Sequence, residues 1–124
     1  MSHFTRVTTQ LRDMVILQQA LEQLGYDVAG AGPIRGYGGQ QVNADLVIDT
    51  GSSYDIGFLQ EDDQIELIAD FWGLKVDREK FLNQVIQRYA YLTVVEQAQA
   101  QGWSTLTEEV QPDGSIRLVM QRWK

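Results

Sequence analysis

Two runs of alternating apolar and polar residues, joined by an acidic stretch, constrain this chain more than any other feature. The apolar positions are Tyr54, Ile56 and Phe58 before residues 61–64, and Ile65, Leu67, Ala69 and Phe71 after them. Alternation of period two is typical of a strand with one buried face. With a four-residue loop at 61–64, Phe58 lies opposite Leu67 and Ile56 opposite Ala69, so the apolar side chains share one face. The pattern predicts an antiparallel hairpin at the centre of a sheet. Gly57 within it predicts a bulge or a bulky residue lying across the strand, for which Trp72 is the candidate.

Two other segments have the 3.6-residue periodicity of amphipathic helices. The first covers residues 11–24, with Thr8 or Thr9 as its expected N-cap and Gly25 as its end. The second follows an N-cap at Asp77 and ends before Gly102, with an apolar stripe from residues 81–95. These stripes predict helices packed on a shared core.

Shorter strands are predicted at residues 3–8, 44–49, 103–110 and 115–123, and residues 26–29 are a candidate for one more short strand that the order below leaves out. The resulting order is β-α-β-β-β-α-β-β. We predict an α+β fold, a two-layer sandwich of a mainly antiparallel sheet with two helices on one face, with a ferredoxin-like variant as the favoured subtype. The length, 124 residues, fits a single domain over residues 1–124.

Residues 30–39 contain five of the chain's glycines and one of its two prolines, and we interpret them as a surface loop. The glycine spacing does not match a dinucleotide-binding turn, and no helical pattern follows it. Arg35 and Tyr37 are the residues through which this loop could contact a small ligand or a partner.

The composition excludes several functions. There are no cysteines and one histidine, His3, so thiolate metal sites, a cysteine nucleophile and a two-histidine metal site are excluded. We expect no cofactor and no metal. The net charge of −7 disfavours nucleic acid as a partner, because phosphates are bound through Lys and Arg. No apolar run reaches the ~20 residues that span a bilayer.

The acidic charge is concentrated in residues 46–76, which carry seven acidic residues against one lysine. Either these residues form a solvated hairpin that keeps the protein in solution, or they bind a protein with a basic surface. The second interpretation gives a possible interaction surface, because aromatic residues beside charge are typical of interfaces. Its members are Tyr54, Glu61, Asp62, Asp63, Asp70 and Trp72.

One string, residues 46–52 (LVIDTGS), matches the signature of aspartic proteases. That chemistry needs two aspartates sharing a proton, so a homodimer would have to pair Asp49 with its twin. Asp-Thr-Gly-Ser is also ordinary turn chemistry, and we interpret it as a turn that ends a strand.

Four pieces of the sequence together resemble a known family. They are the start MSHFTRVTTQLRD with the following ALEQLG, then YDIGF at 54–58, ADFWG at 69–73 and YAY at 89–91. They resemble the hypothetical chloroplast reading frame thirty-five family, a domain of unknown function (number twelve fifty-seven) from cyanobacteria and algal plastids. The resemblance implies a small soluble protein of the cyanobacterial cytoplasm or plastid stroma, and it supplies no reaction.

The leading hypothesis is a non-enzymatic interaction or assembly module. The alternative is a small-ligand binder or enzyme that uses loop 30–39 as a lid near Asp70 and Trp72, and the remote alternative is the dimeric protease through Asp49. The sequence leaves open whether Trp72 and Trp123 belong to the core or to an interface.

Overall fold

The computed structural model describes residues 4–74 and 76–122, which form two helices and nine strands. The strands are β1 (Thr5–Thr8), β2 (Asp27–Ala29), β3 (Gly32–Arg35), β4 (Gln41–Ala44), β5 (Leu46–Asp49), β6 (Asp55–Glu61), β7 (Gln64–Ala69), β8 (Trp103–Val110) and β9 (Ile116–Arg122), and the helices are α1 (Met14–Gln23) and α2 (Arg78–Ala100). The α+β class is confirmed. Within the described ranges, neither helix is both long and apolar enough to span a bilayer.

The hairpin of β6 and β7 has the predicted register. Phe58 pairs with Leu67 and Ile56 with Ala69, so the apolar residues lie on one face of the sheet. The turn is tighter than the predicted loop, because residues 61 and 64 also pair and leave only Asp62 and Asp63 between the strands. Asp62 takes a φ of 54°, a left-handed conformation that Asp tolerates better than most residues.

Both helices pack on the same face of the central sheet, as predicted. Leu17 and Leu21 of α1 and Phe81 and Val85 of α2 are buried against apolar residues of β5, β6 and β7. Burial of this shared apolar surface is the main favourable contribution to the fold.

The N-cap prediction for α1 was wrong. The cap is Asp13, whose carboxylate accepts from the backbone N–H groups of Val15 at 2.9 Å and Ile16 at 3.2 Å. Thr9 instead extends the pairing of β1 with β7: its hydroxyl donates to the carbonyl of Ile65 at 2.6 Å. The hydroxyl of a Ser or Thr before a helical pattern can cap the helix or form a hydrogen bond with another backbone group, and the Thr9 hydroxyl does the second.

The predictions for α2 were correct at both ends. Asp77 caps the helix by accepting from the backbone N–H of Lys80, and Gly102 takes a positive φ directly after the last turn. The apolar stripe is only partly covered, since Phe81 and Val85 are buried while Ile86 is exposed.

The interpretation of residues 30–39 as a loop was wrong. Residues 32–35 form β3, which pairs with β4 around a short 3-10 turn at Tyr37–Gly39. This β3–β4 hairpin covers the second face of the sheet, where Ile34 and Ala44 are buried against Val47 and Ile68. The molecule is therefore a sandwich of three layers rather than two. The predicted strand 44–49 is correspondingly split, because the chain passes from the hairpin layer into the sheet between Ala44 and Leu46.

The hairpin also corrects the assignment of the residue that lies across Gly57. A Cβ atom at position 57 would stand 2.8 Å from Ile34 Cγ2 and 2.8 Å from the Cβ of Ala44. Trp72, the sequence candidate, is on the surface.

The order of the central sheet is β1–β7–β6–β5–β2, with every neighbouring pair antiparallel. β1 and β2 therefore run parallel at the two edges, and α1 connects them over three intervening strands. This resembles the split β-α-β unit of a ferredoxin-like fold in outline. The strands after α2 do not complete it, because in the part of the chain that the structure describes β8 and β9 form a separate two-stranded sheet.

Candidate functional site

Arg35 attaches the β3–β4 hairpin to the central sheet through Asp55. Arg35 donates from its backbone N–H at 2.8 Å, from Nε at 2.9 Å and from Nη2 at 2.8 Å to the two carboxylate oxygens of Asp55. Asp55 is 4% exposed, and the side-chain hydrogen bond from Arg35 is the main cause that lowers its pKa below the ordinary value. This bidentate arrangement is the strong form of a carboxylate ion pair. Arg35 thus has a structural role in this conformation.

Asp70 is the second buried carboxylate at the same end of the sheet. It is 1% exposed, and its Oδ2 accepts from the backbone N–H of Tyr37 at 3.1 Å. Its Oδ1 has no hydrogen-bond partner among the residues that the structure describes. Buried polar atoms are nearly always paired, so this oxygen is an exception that needs an explanation.

Two residues with exposed aromatic side chains adjoin Asp70, one two positions later in the chain and one through its backbone. Trp72 is 78% exposed, and Tyr37, whose backbone contacts Asp70, is 50% exposed. We call Tyr37, Asp70 and Trp72 the aromatic end. Single exposed apolar residues are common, but exposed tryptophan and tyrosine side chains are enriched at contact surfaces.

The backbone around Trp72 is fixed on both sides. Trp72 lies between Asp70 and Leu74, both of which are buried, and the backbone N–H of Leu74 donates to the Asp70 carbonyl at 3.2 Å across this turn. The ring of Tyr54 lies against Gly73 so closely that a Cβ there would overlap Cε2 of the ring. Trp72 is therefore displayed by a turn held in place by packed neighbours.

The structure divides the predicted interaction surface into two parts. Tyr54, Asp70 and Trp72 lie where β6 begins and β7 ends, whereas Glu61, Asp62 and Asp63 are exposed at the opposite turn of that hairpin. Six residue steps at about 3.3 Å each separate the two ends by roughly 20 Å. The acidic turn and the aromatic end are thus distinct surfaces, and His3, Lys75 and Trp123 lie outside the described residues.

The Asp-Thr-Gly-Ser string forms the predicted strand-ending turn. Asp49 Oδ1 accepts from the backbone N–H of Gly51 at 2.9 Å, and the hydroxyl of Thr50 donates to the Tyr54 carbonyl at 2.6 Å. Asp49 also lies 3.9 Å from Nη2 of Arg35. These local contacts account for the residue types in the string.

Sequence reasoning missed the Arg35–Asp55 pair. Its signal was present in the spacing, because Asp55 and Gly57 share one face of β6, and a glycine there indicates a close layer above. A layer that is close enough to exclude a Cβ at Gly57 also shields the Asp55 carboxylate from water, and a buried carboxylate needs a cation.

The chain was compared with known families and proteins. Residues 20–119 match the profile of a family described as "Protein of unknown function (DUF1257)". The chain belongs to this family. The family assignment confirms the resemblance inferred from the YDIGF and ADFWG segments.

Relatives match over nearly the full length. The chain is 36% identical to "Uncharacterized protein ycf35" of Guillardia theta and 38% identical to the protein of that name in Cyanophora paradoxa, each over 100% of this chain and 99% of the relative. Identity to the Pyropia yezoensis protein is 34%, over 99% of this chain and 98% of the relative. No solved structure matches the chain.

Proposed function

We propose that this protein is a non-enzymatic interaction module that binds a partner protein through the aromatic end. The observation that carries the proposal is the exposure of Trp72. Its side chain is 78% exposed, on a turn that lies between the buried residues Asp70 and Leu74. Tryptophan and tyrosine are enriched among the residues that contribute most to binding, because they bury a large area at a low cost in conformational entropy. A pre-positioned tryptophan lowers that cost further.

The partner in this proposal has a basic surface. Residues 46–76 carry a net charge of −6, while the rest of the chain contributes −1. The acidic turn at Glu61–Asp63 supports long-range attraction of such a partner, and it lies too far from Trp72 to form part of the same small contact. Charges of this kind mainly raise the association rate and make it depend on salt. The names and organisms of the relatives support a location in a cyanobacterial cytoplasm or a plastid stroma.

Site-specific photo-cross-linking tests the proposal. A photoreactive phenylalanine analogue replaces Trp72 in one variant and Val110, another exposed apolar residue, which lies in β8, in the control. We expect a discrete partner adduct in cells from position 72 and none from position 110. Excess unmodified protein should compete for the adduct, and excess Trp72→Ala protein should not. Equal adducts from both positions, or equal competition by both proteins, would refute the proposal.

Charge reversal tests the contribution of the acidic turn separately from that of the aromatic end. The Asp62→Lys and Asp63→Lys double variant keeps Trp72, so we expect the same adduct at a lower yield and with weaker salt dependence. An unchanged yield and salt dependence would remove the acidic turn from the proposal and leave the aromatic end in place.

A further inference from the structure

We infer that the aromatic end binds an arginine side chain of the partner, that Asp70 selects its charge, and that the tip of the β3–β4 hairpin is the lid over Asp70. This inference rests on the proposed function and names the chemistry of the partner.

The unsatisfied carboxylate is the first step. Asp70 is almost fully buried, yet a single backbone N–H, that of Tyr37, is the only hydrogen-bond donor to its carboxylate among the described residues. Its buried neighbour Asp55, in contrast, receives three hydrogen bonds from Arg35. A buried carboxylate without a cation and without a donor on one oxygen is costly. A guanidinium group brought by a partner supplies both the charge and the missing donors.

The hairpin tip can move without disturbing the hairpin's base. The base is held by the buried Ile34 and by the Arg35–Asp55 pair, and Gly36 lies against the ring of Phe4. Beyond Gly36 the tip has little packing.

Two glycines in the tip mark where it can bend. Gly38 and Gly39 have positive φ values of 65° and 78°, and no atom lies within 4 Å of the place where either would carry a Cβ. The contact that the tip makes with Asp70 is the Tyr37 N–H. In this inference, displacing that one hydrogen bond exposes the Asp70 carboxylate to the guanidinium of the partner.

The neighbouring side chains specify arginine rather than a simple ammonium. A guanidinium is planar, offers donors in a fork that matches a carboxylate, and stacks on aromatic rings. The exposed aromatic residues are Tyr37, whose backbone N–H binds Asp70, and Trp72, two residues after Asp70, and a cation over an aromatic ring is attracted further. A small contact with one stacked arginine also fits a surface whose large exposed side chains are two aromatics.

The test uses the full ¹⁵N-labelled chain and two capped tripeptides, acetyl-Gly-Arg-Gly-amide and its neutral citrulline analogue. We expect the arginine peptide to shift the indole N–H of Trp72 and the backbone N–H of Tyr37, whose hydrogen bond it displaces. Citrulline has nearly the same shape without the charge, so we expect at least a tenfold weaker response. Equal responses to both peptides, or no shift at Tyr37, overturn the inference. This comparison uses the unmodified protein and does not depend on any variant folding.

Two matched variants extend the test. Asp70→Asn keeps an oxygen that can accept the Tyr37 N–H and removes the charge, so we expect at least a tenfold loss of affinity for the arginine peptide. Glu109→Gln removes one charge from an exposed position of β8, outside the aromatic end and the acidic turn, and its affinity should be unchanged. An Asp70→Asn protein that binds the arginine peptide normally overturns the role of Asp70.

Failure of the inference can be distinguished from failure of the proposed function. If the partner adduct from position 72 persists while the arginine peptide does not bind, the inference that the aromatic end binds arginine is refuted and the proposed function is not. If position 72 gives no specific adduct, the proposed function falls whatever the peptides do.

Discussion

Ile34 lies directly over Gly57, so that a Cβ at position 57 would stand 2.8 Å from Ile34 Cγ2. The contact joins the β3–β4 hairpin to the central strand of the sheet without a polar group. We therefore expect Gly57→Ala to destabilise the protein by about 1–3 kcal/mol, because a methyl group must be forced between two packed layers. Urea denaturation measures the change.

A double-mutant cycle assigns this cost to the named contact. Ile34→Ala removes the side chain above position 57, so the Gly57→Ala substitution should cost less in that background. Gly30→Ala serves as the control, because no atom lies within 4 Å of the place where a Cβ at position 30 would stand, and its effect should be small. An equal cost of Gly57→Ala in both backgrounds would show that Ile34 is not responsible.

The Arg35–Asp55 pair should make stability depend on acid pH. Arg35→Met leaves the Asp55 carboxylate buried without its cation, and an unpaired carboxylate of this kind should cost about 2 kcal/mol at pH 7. The pKa of Asp55 is lower in the folded protein than in the unfolded chain. Its contribution is therefore complete above the unfolded value of about 3.9 and is lost as the pH falls through the lower folded value.

Denaturation at pH 7 and pH 3 checks this prediction. The difference between the wild type and Arg35→Met should shrink at pH 3. The control is Arg6→Met, since Arg6 forms an exposed ion pair with Glu66 at 3.7 Å that should contribute less than about 1 kcal/mol. A pH-independent difference for Arg35→Met would contradict the assignment to Asp55.

The sequence predicted those elements whose determinants lie close together in the chain. The register of β6 and β7 follows from alternation on both sides of one turn, and the ends of α2 follow from Asp77 and Gly102. The β3–β4 hairpin was missed because its glycines and proline resemble a loop. What stabilises it is Ile34 on Gly57, a contact between residues 23 positions apart, which no local pattern displays.

The residues of the aromatic end were named from the sequence in two separate predictions, Tyr37 in the loop and Asp70 and Trp72 in the interaction surface, and their arrangement was not predicted. Trp72 and Tyr37 were selected for their chemistry, and their exposure agrees with that choice. The burial of Asp70 was not foreseen, because the alternation of β7 gives Asp70 a polar, outward position. The hairpin layer covers that face, so an outward residue of the sheet becomes an inner residue of the molecule.

Tyr91 should remain protonated in strongly alkaline solution. Its hydroxyl donates to Glu108 of β8, and the guanidinium of Arg88 lies 5.2 Å from the centre of its ring. Burial, followed by the hydrogen bond with Glu108, raises the pKa of Tyr91 to about 12. Because the folded pKa exceeds the ordinary value of 10.0, the stabilising contribution is present below pH 10 and is lost as the pH rises through about 12.

Nuclear magnetic resonance of ¹³Cζ-labelled tyrosine follows this titration directly. Tyr91→Phe should remove the step near pH 12, and Glu108→Gln should move it to lower pH. We also expect Tyr91→Phe to speed amide hydrogen exchange in β8 and β9, since Tyr91 links them to α2. A Tyr91 step near pH 10 would refute the role of burial.

Trp72 and Gly73, although adjacent, should separate binding from folding. Trp72→Ala removes a side chain that is 78% exposed, so we expect its free energy of unfolding to change by less than about 0.5 kcal/mol while partner capture is lost. Gly73→Ala places a methyl group where it overlaps the Tyr54 ring, so it should destabilise the turn and reduce binding by displacing Trp72. Urea denaturation and the cross-linking yield, measured on both variants, distinguish the two effects. A large loss of stability in Trp72→Ala would place Trp72 in the core and exclude it as a displayed contact residue.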